Sequence, residues 1–212
     1  MADTDTLIDK RSLRRSFERA AETYDGAAVL QREIGSRMLS RLDYVRLQPS
    51  IVLDAGCGTG LCGPLLRPLA SRLDGVDLSD KMIALARERA VYDELLVGEL
   101  CAAMRARPRC YDAIVSADTL VYFGDLAEPV VAAAACLRPG GRFVYTVEAM
   151  APEHAGVGFR ITPSGRYEHG REYLETTMRS ASFTLVNVER ETLRMERGAE
   201  VVGWLVSARL PA

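Results

Sequence analysis

The sequence lacks any hydrophobic run long enough to cross a membrane, any internal repeat and any low-complexity segment. It also lacks an excess of either charge, since 27 lysines and arginines oppose 29 aspartates and glutamates in 212 residues, a net charge of −2. Nucleic-acid-binding proteins carry a basic surface, which this balance does not supply. We therefore expect a globular protein of one domain that acts on neither membranes nor nucleic acids.

Cysteines are few, and they form neither the CxxC pairs of a zinc site nor the even set of a disulfide framework. The chain has five of them, widely spaced: Cys57, Cys62, Cys101, Cys110 and Cys136. We expect reduced thiols, and the sequence predicts no metal site. The first residues lack the apolar run of a signal peptide, so the expected location is the cytoplasm.

Strand-like and helix-like segments alternate between residues 51 and 147. The apolar runs that predict strands are Ile51–Asp54, Leu73–Leu78, Leu95–Val97, Tyr111–Ser116 and Arg142–Val147. Helical patterns fill the intervals, over residues 63–70, 79–90, 99–106 and 126–137. This alternation predicts right-handed crossovers and a mostly parallel sheet covered by helices on both faces, which is a doubly wound, Rossmann-like α/β fold.

The pattern changes after residue 147. Two prolines and three glycines in residues 148–168 predict a loop, and a helix is predicted over residues 170–181. Two β-rich runs, 183–194 and 200–209, are separated by the turn residues Glu196–Gly198. The parallel sheet is therefore expected to end in an antiparallel pair, which gives seven strands in all.

The first strand runs directly into Asp54-Ala-Gly-Cys-Gly-Thr-Gly60, a turn with glycine at every second position. In an open α/β sheet, ligands bind at the carboxyl ends of the strands, where the strand order reverses. A dinucleotide-binding loop needs glycine or alanine where this chain has Leu61, and a P-loop needs a Gly-Lys-Ser/Thr sequence, which is absent. We therefore predict that Asp54, Gly56, Gly58 and Gly60 approach a ligand other than a pyrophosphate.

Residues at the ends of the next three strands complete the predicted site. They are Asp77, Leu78, Met82, Glu99, Leu100 and Asp118. Asp77 stands where a carboxylate can accept both hydroxyls of a ribose, and Leu78 and Met82 can flank an adenine. Glu99 follows the third strand near the adenine edge, and Asp118 follows the fourth beside the centre of the site. Structural interpretations stay open: Asp77 can cap a helix, Met82 can belong to the core and Glu99 can be solvated.

Three segments together resemble the class I S-adenosylmethionine (SAM)-dependent methyltransferases: the glycine loop, Gly75-Val-Asp77-Leu-Ser79 and Leu137-Arg-Pro-Gly-Gly141. The resemblance covers about residues 48–148. It implies SAM as the cofactor and S-adenosylhomocysteine as the product, with the glycine loop near the methionyl part and Asp77 at the ribose. Because the sulfonium of SAM is an excellent leaving group, such a protein mainly has to align the nucleophile with the methyl group.

The amino-terminal segment Arg15–Arg32, which contains Glu-Thr-Tyr24-Asp25, resembles the start of the malonyl-acyl-carrier-protein O-methyltransferases of biotin synthesis. That resemblance implies that residues 1–47 form a helical lid and that Tyr24 contacts SAM and helps to close the site. It also implies methylation of a malonyl thioester carboxylate, bound to acyl carrier protein or as a small molecule. The basic residues between positions 10 and 19 would then meet the acidic carrier protein, or would form a solvated helix face.

The carboxyl-terminal half resembles a different methyltransferase group, often fused to tetratricopeptide repeats, through Leu61–Pro64, Asp118–Asp125 and Gly165–His169. That resemblance implies an unknown small metabolite as the acceptor. In either case residues 48–148 are expected to be the SAM-binding core, and residues 149–212 to supply a substrate loop, a helix and a hairpin.

His169 is the candidate general base of the sequence. It stands at the start of a predicted helix, where the helix dipole disfavours the imidazolium and lowers the pKa, although a surface capping role is equally open. The same two interpretations apply to Tyr167 and Tyr173. The candidates for holding a substrate carboxylate are Arg160, Arg166 and Arg171. Two further classes stay open: a SAM-binding protein without turnover, and a nicotinamide oxidoreductase, which Leu61 disfavours.

Overall fold

The computed structural model describes residues 50–154, 156–196 and 198–212. The helical lid predicted for residues 1–47, including Tyr24 and the basic segment, lies outside the described residues. Among those described, no helix is both long enough and apolar enough to span a membrane.

Strands and helices alternate through the first two thirds of the described chain. The strands are β1 Ile51–Ala55, β2 Arg72–Asp77, β3 Glu94–Val97, β4 Tyr111–Ser116, β5 Leu137–Ala149, β6 Phe159–Ile161, β7 Tyr167–His169, β8 Thr184–Glu196 and β9 Ala199–Arg209. The α-helices are α1 Gly63–Leu66, α2 Asp80–Glu88, α3 Leu100–Arg105, α4 Ala127–Cys136 and α5 Arg171–Ser180. Short 3-10 turns cover Arg67–Leu69, Leu120–Tyr122 and Pro152–His154.

The principal sheet has the strand order β3-β2-β1-β4-β5-β9-β8. The first five of these strands are parallel, and β9 and β8 form the antiparallel pair at the other edge. This order confirms the predicted seven-stranded, mostly parallel fold of the class I methyltransferase type. The strand order reverses between β1 and β4, so the crevice for a ligand lies at the carboxyl ends of these two strands.

The segment predicted as a loop, residues 148–168, contains two further strands, and that prediction was wrong. Strands β6 and β7 form an antiparallel hairpin, and β7 pairs in parallel with the last two residues of β5. Glu148 of β5 has Gly203 of β9 as its partner on one side and Glu168 of β7 on the other. The hairpin therefore extends the edge of β5 that β4 occupies earlier, and it lies beyond the carboxyl end of β4.

Both faces of the sheet are buried. Successive strand residues point to opposite sides, and the residues on each side belong to an apolar cluster. Leu53, Ile114 and Phe143 belong to one apolar cluster, with residues of α3, α4 and α5. Val52 and Val144 belong to a second cluster, with residues of α1 and β8. The core thus holds the strand ends rigidly, and the loops that follow them form the site.

Local sequence signals explain where α2 begins and where α1 ends. The hydroxyl oxygen of Ser79 accepts a hydrogen bond from the backbone N–H of Met82 at 3.3 Å, as expected of an N-cap at the start of α2. The helix predicted over residues 63–70 is shorter than expected: α1 ends at Leu66 and a 3-10 turn follows, with Pro68 within it.

Candidate functional site

A cavity of about 350 Å³ lies at the carboxyl ends of the parallel strands. Nine of the residues predicted from the sequence line it: Asp54, Gly56, Gly58, Asp77, Leu78, Met82, Glu99, Leu100 and Asp118. Gly60 is not among the lining residues, and Tyr24 lies outside the described part of the chain. We call the part of the cavity bounded by residues 54–100 the glycine-loop end.

The three alternate glycines of the loop share a backbone conformation but differ in what surrounds them. All have positive φ angles, of 76°, 54° and 82°, which side chains rarely adopt. A Cβ atom on Gly56 would lie 2.2 Å from Oγ1 of Thr119, and one on Gly60 would lie 3.0 Å from the ring of Tyr92. A Cβ atom on Gly58 would meet nothing within 4 Å. Packing therefore requires the outer two glycines, whereas the middle one leaves open space on the cavity side.

Asp77 fixes the loop to the end of β2. One carboxylate oxygen accepts the backbone N–H of Gly58 at 3.0 Å, and the other accepts that of Ser79 at 2.8 Å. The backbone N–H of Leu78 also contributes to this carboxylate, and its four lone-pair sites still leave capacity for a ligand hydroxyl. Burial raises the pKa of Asp77, and the backbone hydrogen bonds oppose that rise. The capping interpretation and the ligand-binding interpretation are therefore compatible with each other.

Asp54 is a buried carboxyl group, 2% exposed, in the wall of the cavity. Its Oδ2 atom accepts a hydrogen bond from the hydroxyl of Tyr92 at 2.6 Å. Burial raises the pKa of Asp54 to about 7, the Tyr92 hydrogen bond lowers it in part, and the charge of Asp77 raises it further. Sequence reasoning missed Tyr92, because its partner lies 38 residues earlier in the chain.

The remaining residues of the glycine-loop end give it an apolar surface with one carboxylate. Met82 is only 1% exposed, so it contributes to both the core and the wall. Glu99 is the N-cap of α3, and its Oε2 atom accepts the N–H of Ala102 at 2.8 Å. The side chain that was expected either to contact an adenine or to be solvated therefore also has a structural partner.

The opposite part of the cavity, which we call the hairpin end, is formed by the segments after β4 and by β5, β7 and β8. Its lining residues are Ala117, Asp118, Thr119, Tyr122, Phe123, Gly124, Asp125, Glu128, Thr146, Tyr167 and Leu193. Three of them carry carboxylates and three carry aromatic rings. The hairpin can approach the segment after β4 closely because residue 124 is glycine. A Cβ atom there would lie 2.8 Å from the ring of Tyr167.

Asp118 joins the hairpin end to a network of buried charges. Its Oδ1 atom accepts a hydrogen bond from Arg194 of β8 at 2.9 Å, and its backbone N–H donates to Oγ1 of Thr146. Arg194 is 11% exposed at its side chain and also binds Glu148 and Glu196. A guanidinium thus holds the carboxylate at the cavity wall, although Asp118 and Arg194 are 76 residues apart.

His169 is fully buried in β7 and is not among the lining residues. Its Nε2 atom lies 3.0 Å from the carbonyl oxygen of Gly124, so Nε2 carries the proton and donates it in this contact. Burial lowers the pKa of His169 to about 4. The lowered pKa was predicted from the sequence, but its cause is burial and not the helix dipole. This geometry favours a role in holding the Gly124 loop; the general-base role stays a prediction that the geometry does not support.

The other residues proposed for the substrate also have protein partners. Arg160 pairs with Glu168, Arg166 with Glu196 and Arg171 with Glu175. None of the three arginines is among the residues that line the described cavity. The hydroxyl of Tyr173 donates to Asp125 at 2.9 Å and accepts the N–H of Leu126. Tyr167 differs from these residues, since it lines the cavity directly.

Comparison with known proteins identifies the domain that supplies most of the residues lining this cavity. The family described as the methyltransferase domain matches residues 53–145, which include the glycine loop, Asp77 and Asp118. The chain carries a class I SAM-dependent methyltransferase domain. The matched residues run from the third residue of β1 to the ninth residue of β5, and the hairpin β6–β7 lies outside the match.

Relatives named malonyl-acyl-carrier-protein O-methyltransferase match parts of the chain. The protein of Gallionella capsiferriformans is 41% identical over 109 residues, which are 48% of this chain and 38% of that protein. The protein of Nitrosospira multiformis is 54% identical over 88 residues, 40% of this chain and 28% of that protein. The protein of Pseudescherichia vulneris is 31% identical over 144 residues, 68% of this chain and 56% of that protein. The chain therefore matches little more than half of these relatives at most.

Solved structures share the fold of the methyltransferase domain at low sequence identity. Magnesium protoporphyrin IX methyltransferase from Synechocystis PCC 6803, with bound S-adenosylhomocysteine, aligns with a TM-score of 0.70 at 15% identity, over 95% of this chain and 100% of that one. Phosphoethanolamine N-methyltransferase 2 of Haemonchus contortus, also with S-adenosylhomocysteine, aligns with a TM-score of 0.66 at 18% identity, over 84% of this chain and 53% of that one.

Proposed function

We propose that the protein transfers the methyl group of SAM to a small-molecule or carrier-bound acceptor. The observation that carries the proposal is the pairing of Asp77 with the N–H of Gly58 beside open space in the cavity wall. Asp77 would accept the ribose hydroxyls, the glycine loop would lie along the methionyl part, and Asp54 would face the amino group of that part. SAM supplies the sulfonium leaving group when it is bound.

The apolar residues of the glycine-loop end fit the adenine. Leu78 and Met82 would flank its faces, and Leu100, with the carboxylate of Glu99, would lie at its edge. The chain of the protein then has two tasks: it holds the cofactor at one end of the cavity and presents the acceptor from the hairpin end. Alignment of the two in a closed cavity is the main source of rate in such a transfer.

The cofactor assignment is tested through Asp77. Asp77→Ala removes a carboxylate that would accept two hydroxyl groups, worth about 1.5–3 kcal/mol each before water compensates. We expect calorimetric SAM affinity to fall about tenfold or more. Asp80→Ala is the matched control, because Asp80 begins α2 three residues later and does not line the cavity. Equal affinity of the Asp77 variant and the wild type would place the ribose elsewhere.

One candidate acceptor is the carboxylate of a malonyl thioester, on acyl carrier protein or on coenzyme A. It is supported by the names of the relatives with 41% and 54% identity over their matched parts. A carboxylate nucleophile arrives deprotonated and needs no general base, but it needs a cation to hold it. Formation of a malonyl methyl ester, detected by mass spectrometry with SAM and either thioester, is the expected result.

A second candidate acceptor is an uncharged or cationic small metabolite, and the charge of the hairpin end favours it. Asp118, Asp125 and Glu128 line this end together with the rings of Tyr122 and Tyr167. Carboxylates and aromatic faces attract an amine or a polarised hydroxyl group more than a carboxylate. A panel of amines and phenols, scored for a mass gain of one methyl group, is the matching assay.

Glu128→Gln distinguishes the two candidates in one experiment. Glu128 lines the cavity, and its ion pair with Arg105 is half exposed, so the substitution removes a negative charge with little cost to folding. The KM of a malonyl thioester should fall in the variant, whereas the KM of a cationic acceptor should rise. Glu172→Gln, on the exposed surface of α5 and away from the cavity lining, is the control for a change of net charge. SAM binding without methylation of any acceptor in either panel would instead favour a binding protein without turnover.

A further inference from the structure

Tyr92 lies where three segments meet: the glycine loop, α1 and β2. A Cβ atom added to Gly60 would lie 3.0 Å from the ring of Tyr92, its nearest neighbour. Cβ atoms added to Gly63 and Gly75 would lie 2.8 and 3.2 Å from the same ring. These glycines come from the loop, from α1 and from β2. A side chain at any of the three positions would press on the ring, so the fold leaves room for an aromatic residue in this place.

The hydroxyl of Tyr92 reaches the cavity wall through Asp54. The 2.6 Å hydrogen bond to Oδ2 of Asp54 is a contact between a half-buried phenol and a carboxyl group that is 2% exposed. Asp54 lines the cavity and Tyr92 does not. The hydroxyl of Tyr92 can therefore act on a ligand only through the direction and the charge of Asp54.

We propose that Tyr92 is a positioning residue for the cofactor. Its ring packs against the glycine loop on the side away from the cavity, and its hydroxyl holds the Asp54 carboxylate toward the amino group of SAM. The inference rests on the proposed cofactor site and adds the residue that tunes it. A donated hydrogen bond stabilises the charged form of Asp54, which is the form that attracts an ammonium group.

The groups that face Asp54 determine how its charge depends on pH. They are the hydroxyl of Tyr92, the carboxylate of Asp77 and the thiols of Cys57 and Cys62. Burial raises the pKa of both thiols and of Tyr92, so these three stay neutral near pH 7. Burial raises the pKa of Asp54 to about 7 despite the hydrogen bond. Removal of that hydrogen bond raises the pKa of Asp54 further, so less of the carboxylate is charged at a given pH.

The test is SAM binding to the whole protein by calorimetry, between about pH 5.5 and pH 7.5. Wild-type affinity should rise with pH in this window and Asp54→Asn should abolish the rise. Tyr92→Phe keeps the ring between the three glycines and removes the hydroxyl. Its binding curve should move to higher pH, with affinity at pH 6 reduced about tenfold for each unit by which the pKa of Asp54 rises, and the deficit should shrink toward pH 7.5.

Two controls separate a positioning role from a structural one. Tyr111→Phe removes a comparable hydrogen bond, from a buried tyrosine to Asp74 at 2.9 Å, outside the cavity, and should leave the pH curve unchanged. Combining Tyr92→Phe with Asp54→Asn should weaken binding no more than Asp54→Asn alone, because both act through one carboxylate.

The possible results separate this inference from the function on which it rests. A Tyr92→Phe deficit that is equal at every pH, or that adds fully to that of Asp54→Asn, would overturn the inference while the cofactor site stands. Tyr92→Leu, which removes the ring as well, should weaken binding at every pH. If the wild type does not bind SAM at all, both the inference and the proposed function are wrong.

Discussion

Alanine substitutions at Gly56 and Gly58 should have different effects, although the two residues are separated by one position: the first should mainly destabilise the fold, and the second should mainly weaken SAM binding. Both have positive φ angles, so a side chain at either costs about 1–2 kcal/mol of backbone strain. At Gly58 nothing else is added, because a Cβ atom would meet no atom within 4 Å. At Gly56 the new methyl group would lie 2.2 and 2.3 Å from two side-chain atoms of Thr119.

The structure converts this difference into two measurable quantities. For Gly58→Ala, the strain alone corresponds to a fall in Tm of about 2–8 °C in a chain of this size. The methyl group enters the open space that we assign to SAM, so affinity should fall about tenfold or more, equivalent to about 1.4 kcal/mol. For Gly56→Ala, displacement of Thr119 adds about 1–3 kcal/mol of overpacking to the strain, and the loss of stability should be clearly the larger.

Thermal unfolding and calorimetric SAM binding, measured on the same preparations, test the pair. Thr119→Gly removes the colliding side chain, so the double variant Gly56→Ala with Thr119→Gly should recover the overpacking part of the loss and retain the strain. A Gly58→Ala protein that binds SAM as tightly as the wild type would refute the reasoning, because the space beside Gly58 would then not be the cofactor site.

Two further predictions concern buried ionisable groups. His169 has a native pKa of about 4 against 6.5 when unfolded, so below pH 6.5 the unfolded state binds a proton that the native state does not. The free energy of unfolding that the neutral ring contributes is fully present above pH 6.5 and falls by up to about 3 kcal/mol toward pH 4. Urea unfolding should show this loss in the wild type. The variant His169→Gln, which keeps an N–H donor but does not titrate, should not show it. Arg194→Met should lower the free energy of unfolding by about 3 kcal/mol or more, because Asp118 and Glu148 lose a buried cation. Arg179→Met, at an exposed ion pair, should change it by less than about 1 kcal/mol. Equal effects of the two substitutions would contradict the buried network.

The parts of the fold that the sequence predicts well are those with local signals. Strand Tyr111–Ser116 has the predicted bounds, and the cap of α2 by Ser79 follows from one residue type at the right place. The hairpin β6–β7 was missed because each strand has only three residues, and the glycines and prolines around them give a stronger loop signal. Its pairing with the end of β5 is long-range and leaves no periodic pattern in the sequence.

The candidate site divides in the same way. Asp77 and the glycine loop lie next to a strand end, so their neighbourhood in the fold follows from the strand alternation. Tyr92 and Arg194 were missed because each acts on a residue far away in sequence, Asp54 and Asp118 respectively. His169 was assigned the right direction of pKa change for the wrong reason, since a sequence reveals a nearby helix start but not complete burial.

The division of the cavity between two stretches of chain has a consequence for how such a protein diversifies. The glycine-loop end is built from residues 54–100, whereas the hairpin end is built from residues 117–193. The hairpin itself is joined to the parallel sheet through only two pairs of β5 and β7 residues. Changes in the hairpin that carries Tyr167 can therefore alter which acceptor is admitted while the residues of the glycine-loop end stay unchanged.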